Sequence, residues 1–252
     1  MVGSWTETML TTSSLRRCAV VGQGRLGTAL AGALASAGFE VVGPLGRGAD
    51  PRGMDVVLLC VPDHEIAAAA AAVTPGPLVG HCSGATGLDV LAPHEALGLH
   101  PLMTVPAGGA TFAGASCAVA GTTDRALACA YALAARLGMA ATEIADEDRA
   151  AYHAAASIAS NFLVTLEDAA ERLAATAGAD RELLVPLVRA AVEHWAQTGG
   201  ERALTGPIAR GDEATVARQR DAVAERTPDL LPLFDALAAA TRALADRSRV
   251  PA

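Results

Sequence analysis

The 252-residue sequence predicts an α/β protein: a doubly wound, mostly parallel sheet over about residues 16–145, followed by an all-helical domain over residues 146–252. Three observations carry this reading. Short apolar runs alternate with alanine-rich helical patterns through the first half. One of those runs, Val56-Val57-Leu58-Leu59-Cys60-Val61, is unbroken and closed by Pro62, as expected of a strand buried on both faces. From Asp146 onward only helical patterns remain, and no proline- or serine-rich linker separates the halves. The change near residue 145 is therefore a change of architecture, and the two domains are expected to enclose a cleft. Residues 1–15 read as a flexible N-terminal extension.

Element by element, Cys18-Ala19-Val20-Val21 is the first strand, an alanine-rich helix follows, and Phe39-Glu40-Val41-Val42 is the second strand. The buried run at 55–61 leads into a helix over 63–73, which Thr74-Pro75-Gly76-Pro77 terminates. Further strands are expected at 78–81, 97–100 and 117–120. Thr122 or Thr123 then caps a helix reaching about residue 137, and 141–144 forms a short strand at the sheet edge. The second half reads as helices over about 146–177, 181–197, 213–225 and 228–245, the first stopped by Gly178.

Composition narrows the function. Apolar residues make up 52% of the chain, but only 3% are aromatic and much of the rest is alanine. No apolar stretch approaches the roughly twenty residues that cross a bilayer, so no membrane association is expected. A net charge of −8 argues against a nucleic-acid surface, which needs clustered cations. Cys18, Cys60, Cys82, Cys117 and Cys129 form no C-x-x-C pair and read as reduced core residues, suiting a cytoplasmic location. All nineteen basic residues are arginine, so a lysine proton donor or Schiff base is excluded within this polypeptide.

The motif Gly22-Gln23-Gly24-Arg25-Leu26-Gly27 sits between a strand and a helix. Its first glycine permits a tight turn and its second lets backbone approach a pyrophosphate. Its third lets the helix pack closely, with the helix N-terminus facing phosphate. Twenty residues past Gly27 stands Arg47, where an acidic residue would bind a free ribose hydroxyl and an arginine favours a 2′-phosphate. The expected cofactor is NADP (NADPH), held by residues 22–27, Arg47, and Val61 and Pro62 at the end of the buried strand.

Ligands of open α/β sheets lie beyond the carboxyl ends of the strands, where His81 and His100 fall. A third histidine, His153, shares a helical stripe with Ser157, Ser160 and Asn161 at 3.6 residues per turn, an unusual polar seam in an alanine background. Hydride transfer to carbon leaves an oxygen or nitrogen that needs a proton, and imidazole is the natural donor near neutrality. His153 is the first choice, with His81 and His100 as alternates. Ser83 and Asn161 would hydrogen-bond the reacting carbonyl or the nicotinamide amide, and Ser157 would line the substrate site. Asp212 is sufficiently explained as an N-cap, whereas Arg210 is free to clamp a substrate carboxylate. With no ligand spacing among the histidines, no metal is expected.

The pieces GQGRLG, HCSGATGLDVL, LHPL, YHAAASIASNFL and LTGPIARGD resemble a Rossmann-like family of about this length, grouped with the oxidoreductases. It is related to the phosphogluconate dehydrogenase, pyrroline carboxylate reductase and prephenate dehydrogenase superfamily. The resemblance implies a small-molecule substrate and a homodimer formed through the helical domain. Ketopantoate reductases and β-hydroxyacid dehydrogenases of that superfamily use a lysine on the helix that begins the second domain, whereas this chain has His153 in that neighbourhood and no lysine at all, so their mechanism and substrate do not transfer. The sequence thus reads as an NADPH-dependent reductase of a small carbonyl or imine compound that carries a carboxylate. The alternative is a regulatory or interaction protein that binds NADP without turnover.

Overall fold

The computed structural model describes residues 15–249, which divide into two compact units meeting at Ser157 and Ile158. All but the last residue of the expected N-terminal extension lies outside the described residues.

The first unit is a seven-stranded sheet in the order β2-β1-β3-β4-β5-β6-β7. In chain order it comprises β1 (Arg17–Val21), α1 (Arg25–Ser36), β2 (Glu40–Leu45), β3 (Val56–Leu59) and α2 (Ile66–Ala71). Then come β4 (Leu78–His81), β5 (Ala96–Leu102), β6 (Ser116–Gly121), α3 (Asp124–Arg136), β7 (Ala140–Glu143) and α4 (Arg149–Ser157). β3 is apolar and buried at every position because both its faces are covered. Cys18, Val20, Val56 and Leu58 pack with α1 and α3 residues such as Leu30, Leu34 and Leu133. Ala19, Val21, Val57 and Leu59 pack on the other face with Ile66, Ala69 and Leu91.

Among the described residues only β5 and β6 pair antiparallel. A parallel return needs a crossover, usually a helix, and residues 103–115 between these strands contain none. Thr123 caps α3 as expected, its Oγ1 accepting the Ala126 N–H at 3.1 Å. Because β1 lies between β2 and β3, the topological switch falls at its carboxyl end, where the glycine motif begins.

The second unit is helical: α5 (Leu163–Ala175), α6 (Arg181–Thr198), α7 (Gly200–Ala203), α8 (Gly206–Arg210), α9 (Glu213–Arg226) and α10 (Leu231–Arg249). Asp212 caps α9 by accepting the Thr215 N–H at 3.0 Å. Arginine forks tie the helices together, with Arg220 bidentate on Asp235 at 2.8 and 2.9 Å and Arg181 on Glu171 at 2.8 and 3.0 Å.

One expectation fails. The helix predicted over 146–177 is interrupted, because residues Ile158–Phe162 form a π turn. No proline or glycine marks the place, since a π turn arises from a shift in the hydrogen-bond ladder and not from a residue type. His153 and Ser157 keep helical spacing on α4, but Ser160 and Asn161 lie in the wider turn, so the stripe drawn at 3.6 residues per turn ends at Ser157. Among the described residues no helix is long and apolar enough to cross a membrane.

Candidate functional site

The glycine motif is built as its spacing implies. Gly22 has φ of +122°, and a Cβ there would stand 2.2 Å from the Cys60 carbonyl oxygen. A Cβ at Gly27 would stand 1.9 Å from the Gly22 carbonyl oxygen, so the third glycine lets α1 close onto the loop. Gly24 differs from both, because a Cβ there would meet nothing within 4 Å. Neither chain conformation nor packing demands a glycine at this position. The space beside it is a cleft of about 600 Å³ lined by Gln23, Gly24, Arg25, Thr28, Pro106 and Gly109, among others. Gly24 is also the N-cap of α1, with no side-chain cap and no acidic residue in the first turn, so the leading amides of a twelve-residue helix are uncapped by any side chain.

The other expected cofactor residues surround this loop. Leu26 is part-buried against the core, Val61 is half-buried, and Pro62 is exposed at the start of a 3-10 turn (Asp63–Glu65). Arg47, two residues past β2, is 75% exposed and pairs with Glu65 at 2.9 Å.

Of the three histidines, His81 is fully buried. Its Nδ1 accepts the Ser83 N–H and its Nε2 lies 3.2 Å from the Gly87 carbonyl, so both ring nitrogens are engaged by the loop that follows β4. Burial, the largest cause, holds its pKa below the ordinary value. Ser83 is likewise occupied. Its Oγ donates to Asp63 Oδ2 at 2.8 Å and accepts the N–H groups of Ala85 and Thr86, closing a tight turn.

His100 is the half-buried one. Its Nδ1 lies 2.8 Å from the Tyr152 hydroxyl, the two rings meet edge-on with centroids 5.6 Å apart, and the exposed His153 ring stands 6.4 Å away. Gly84 makes room for this imidazole, since a Cβ would fall 2.7 Å from its Cε1. Burial, followed by repulsion from His153 and Arg149, lowers the His100 pKa to about 4. Burial raises that of Tyr152. Both groups are therefore neutral at pH 7. The pair holds two exchangeable protons, one inside its own hydrogen bond and one facing outward, on His100 Nε2 or on Tyr152 Oη according to tautomer.

Sequence reasoning missed two residues of this site, Tyr152 and Arg149. Only 4% exposed, Arg149 donates from Nε to Asp146 Oδ1 at 2.6 Å, and its Nη2 occupies space left by Gly98, where a Cβ would fall 2.7 Å away. Asp146 in turn accepts the Leu88 N–H at 3.0 Å, tying α4 to the segment after β4 that carries Ser83. Arg149, Tyr152 and His153 stand at i, i+3 and i+4, so one helical face delivers all three. That spacing was the available signal. Ser157 ends α4, whereas Asn161 and the exposed Arg210 belong to the second unit. Among the described residues no three His, Cys, Asp or Glu side chains gather as a metal site.

Residues 115–241 match the family described as Domain of unknown function (DUF2520), and residues 49–106 match a Rossmann-like domain. The chain belongs to the DUF2520 family. No curated protein matches it. Solved structures share its fold. A candidate NADP oxidoreductase of Bacteroides fragilis superposes with a TM-score of 0.77 at 18% identity, over 91% of this chain and 98% of that one. Protein TM1727 of Thermotoga maritima gives 0.75 at 23% identity, over 92% and 100%. Pyrroline carboxylate reductase of Plasmodium falciparum, with NADP bound, gives 0.57 at 13% identity, over 92% and 98%. These matches show the family and the fold that the sequence motifs implied, a Rossmann-like domain followed by helices.

Proposed function

We propose that this protein is an NADPH-dependent oxidoreductase that reduces a small carbonyl or imine compound. The observation that carries the reading is Gly24, a glycine required by no internal contact, open to a cleft at the uncapped N-terminus of α1. Backbone can approach a pyrophosphate closely there, and the leading amides of α1 with Arg25 beside them favour its charge. Arg47 would take the 2′-phosphate. The NADP-bound reductase of the same fold supports the assignment.

The reduced nicotinamide supplies a hydride. The chain supplies the proton, and the proposal gives that task to the His100–Tyr152 pair, leaving His81 and Ser83 to build the loop beneath it. A neutral pair at pH 7 delivers its outward proton to the oxygen or nitrogen of the reduced substrate. The resulting negative charge rests on the tyrosine oxygen, within the field of Arg149. His153 stands at the edge of this pair, where it can contact substrate. Ser157, at the end of α4, remains a substrate-contact proposal.

We also propose that the helical unit binds a second copy of the chain. Leu183, Leu187, Val192 and Trp195 are exposed along α6, with Ile158, Phe162 and Val164 exposed on the preceding segment, more large apolar surface than a solvated monomer usually shows. Light scattering on the eluted protein should give twice the chain mass, and a monomer would refute this part. For the reaction, NADPH absorbance is followed with a panel of keto acids, aldehydes and cyclic imines. Oxidation with one class confirms turnover, whereas tight NADPH binding with no oxidation by any of them would indicate a non-catalytic binding protein.

A further inference from the structure

The glycine cleft explains where a dinucleotide would lie, but not the company that Arg47 keeps. Its guanidinium pairs with Glu65 Oε1 at 2.9 Å, and His64 Nε2 lies 3.7 Å from the same oxygen. The second carboxylate oxygen, Oε2, is buried with no hydrogen-bond partner. Such an atom is uncommon in a folded protein. Arg47 follows β2 and Glu65 closes the turn after β3, and these strands flank β1 on opposite sides. The ion pair therefore bridges the carboxyl end of the strand that feeds the glycine loop, the position toward which an adenosine ribose would point.

Resting on the dinucleotide reading above, we propose that Glu65 is a selectivity residue that holds back the preference of this site for a 2′-phosphate. An arginine alone would favour the phosphorylated ribose strongly. Here a carboxylate already shares its charge, so a phosphate must compete for Arg47 and sit close to a second anion. A ribose with a free 2′-hydroxyl meets neither cost, and its hydroxyl finds an acceptor in Oε1. The protein accordingly takes both NADP and NAD, with a modest preference for the first.

Calorimetric titration of NADP+ and NAD+ into one sample of wild type, of Glu65→Gln and of Glu65→Ala tests this. Removing the negative charge that shares Arg47 with a phosphate should shift the ratio of the two dissociation constants toward NADP+ by about tenfold, mainly through tighter NADP+ binding. Because both nucleotides are titrated into the same preparation, a loss of folded protein lowers both stoichiometries and leaves the ratio intact. A ratio unchanged in both variants, with both nucleotides still bound, would overturn the role of Glu65 and leave the dinucleotide site standing. Wild type binding neither nucleotide would overturn the site itself, and this proposal with it.

Discussion

Replacing His100 by glutamine should remove a defined part of the acid sensitivity of this fold. The imidazole is ringed by Tyr152, His153, Arg149, Asp63 and His81. Burial and the neighbouring positive groups outweigh Asp63 and hold its pKa near 4, against an ordinary value of 6.5. Between those values the unfolded chain binds a proton that the folded chain refuses, so stability is present above pH 6.5 and is lost as pH falls toward 4. Integrated from about pH 7 to about pH 5, the loss from this one residue is about 2 kcal/mol. The groups that surround it remain in the variant, so the difference between the two proteins isolates His100. Urea unfolding followed by far-ultraviolet circular dichroism is the appropriate assay, because Trp195 lies in the second unit and its fluorescence would not report on the sheet. Wild type should lose about 2 kcal/mol more than His100→Gln over that interval. An equal loss in both proteins, or an NMR titration placing His100 near 6.5, would refute the burial argument.

Three further substitutions test the chemistry. Tyr152→Phe removes the hydroxyl 2.8 Å from His100 Nδ1 and should slow turnover by about a hundredfold while NADPH affinity stays within twofold, as expected for loss of a proton-transfer group. His153→Ala should cost less than Tyr152→Phe in the same assay, and the reverse order would transfer the donor role to His153. Arg47→Ala should weaken NADPH by about tenfold or more, as expected for a charged hydrogen bond, with little change for NADH. Equal weakening of both would remove the 2′-phosphate from this arginine.

Much of the fold was legible because burial on two faces writes itself into a strand as an unbroken apolar run, and 56–61 carries that signature plainly. Glycine spacing likewise anticipated Gly22 and Gly27, whose roles are steric and local. The antiparallel β6 was hidden, because its direction depends on what residues 103–115 fail to form and not on the strand itself. The π turn at Ile158–Phe162 was hidden too, and with it the end of the polar stripe. In the site, a histidine at a strand end announces itself in the sequence, but its partners do not. His81 and His100 look alike in the chain. They differ because the backbone of the following loop engages both nitrogens of one, whereas a tyrosine from a helix 52 residues away meets the other. Arg149 escaped notice because an arginine reads as surface until tertiary structure shows Gly98 vacating space for its guanidinium.

The central claim is that a dinucleotide pyrophosphate rests against Gly24, and Gly24→Asp tests it most directly. Aspartate is a favoured N-cap and its side chain enters open space, so the melting temperature should hold or rise. In calorimetric titration wild type should bind one NADPH per chain, and the variant, with a carboxylate where the phosphates would lie, should bind it about a hundredfold more weakly, in keeping with like-charge repulsion at close range. No heat with wild type, or undiminished affinity in a well-folded variant, would contradict the account.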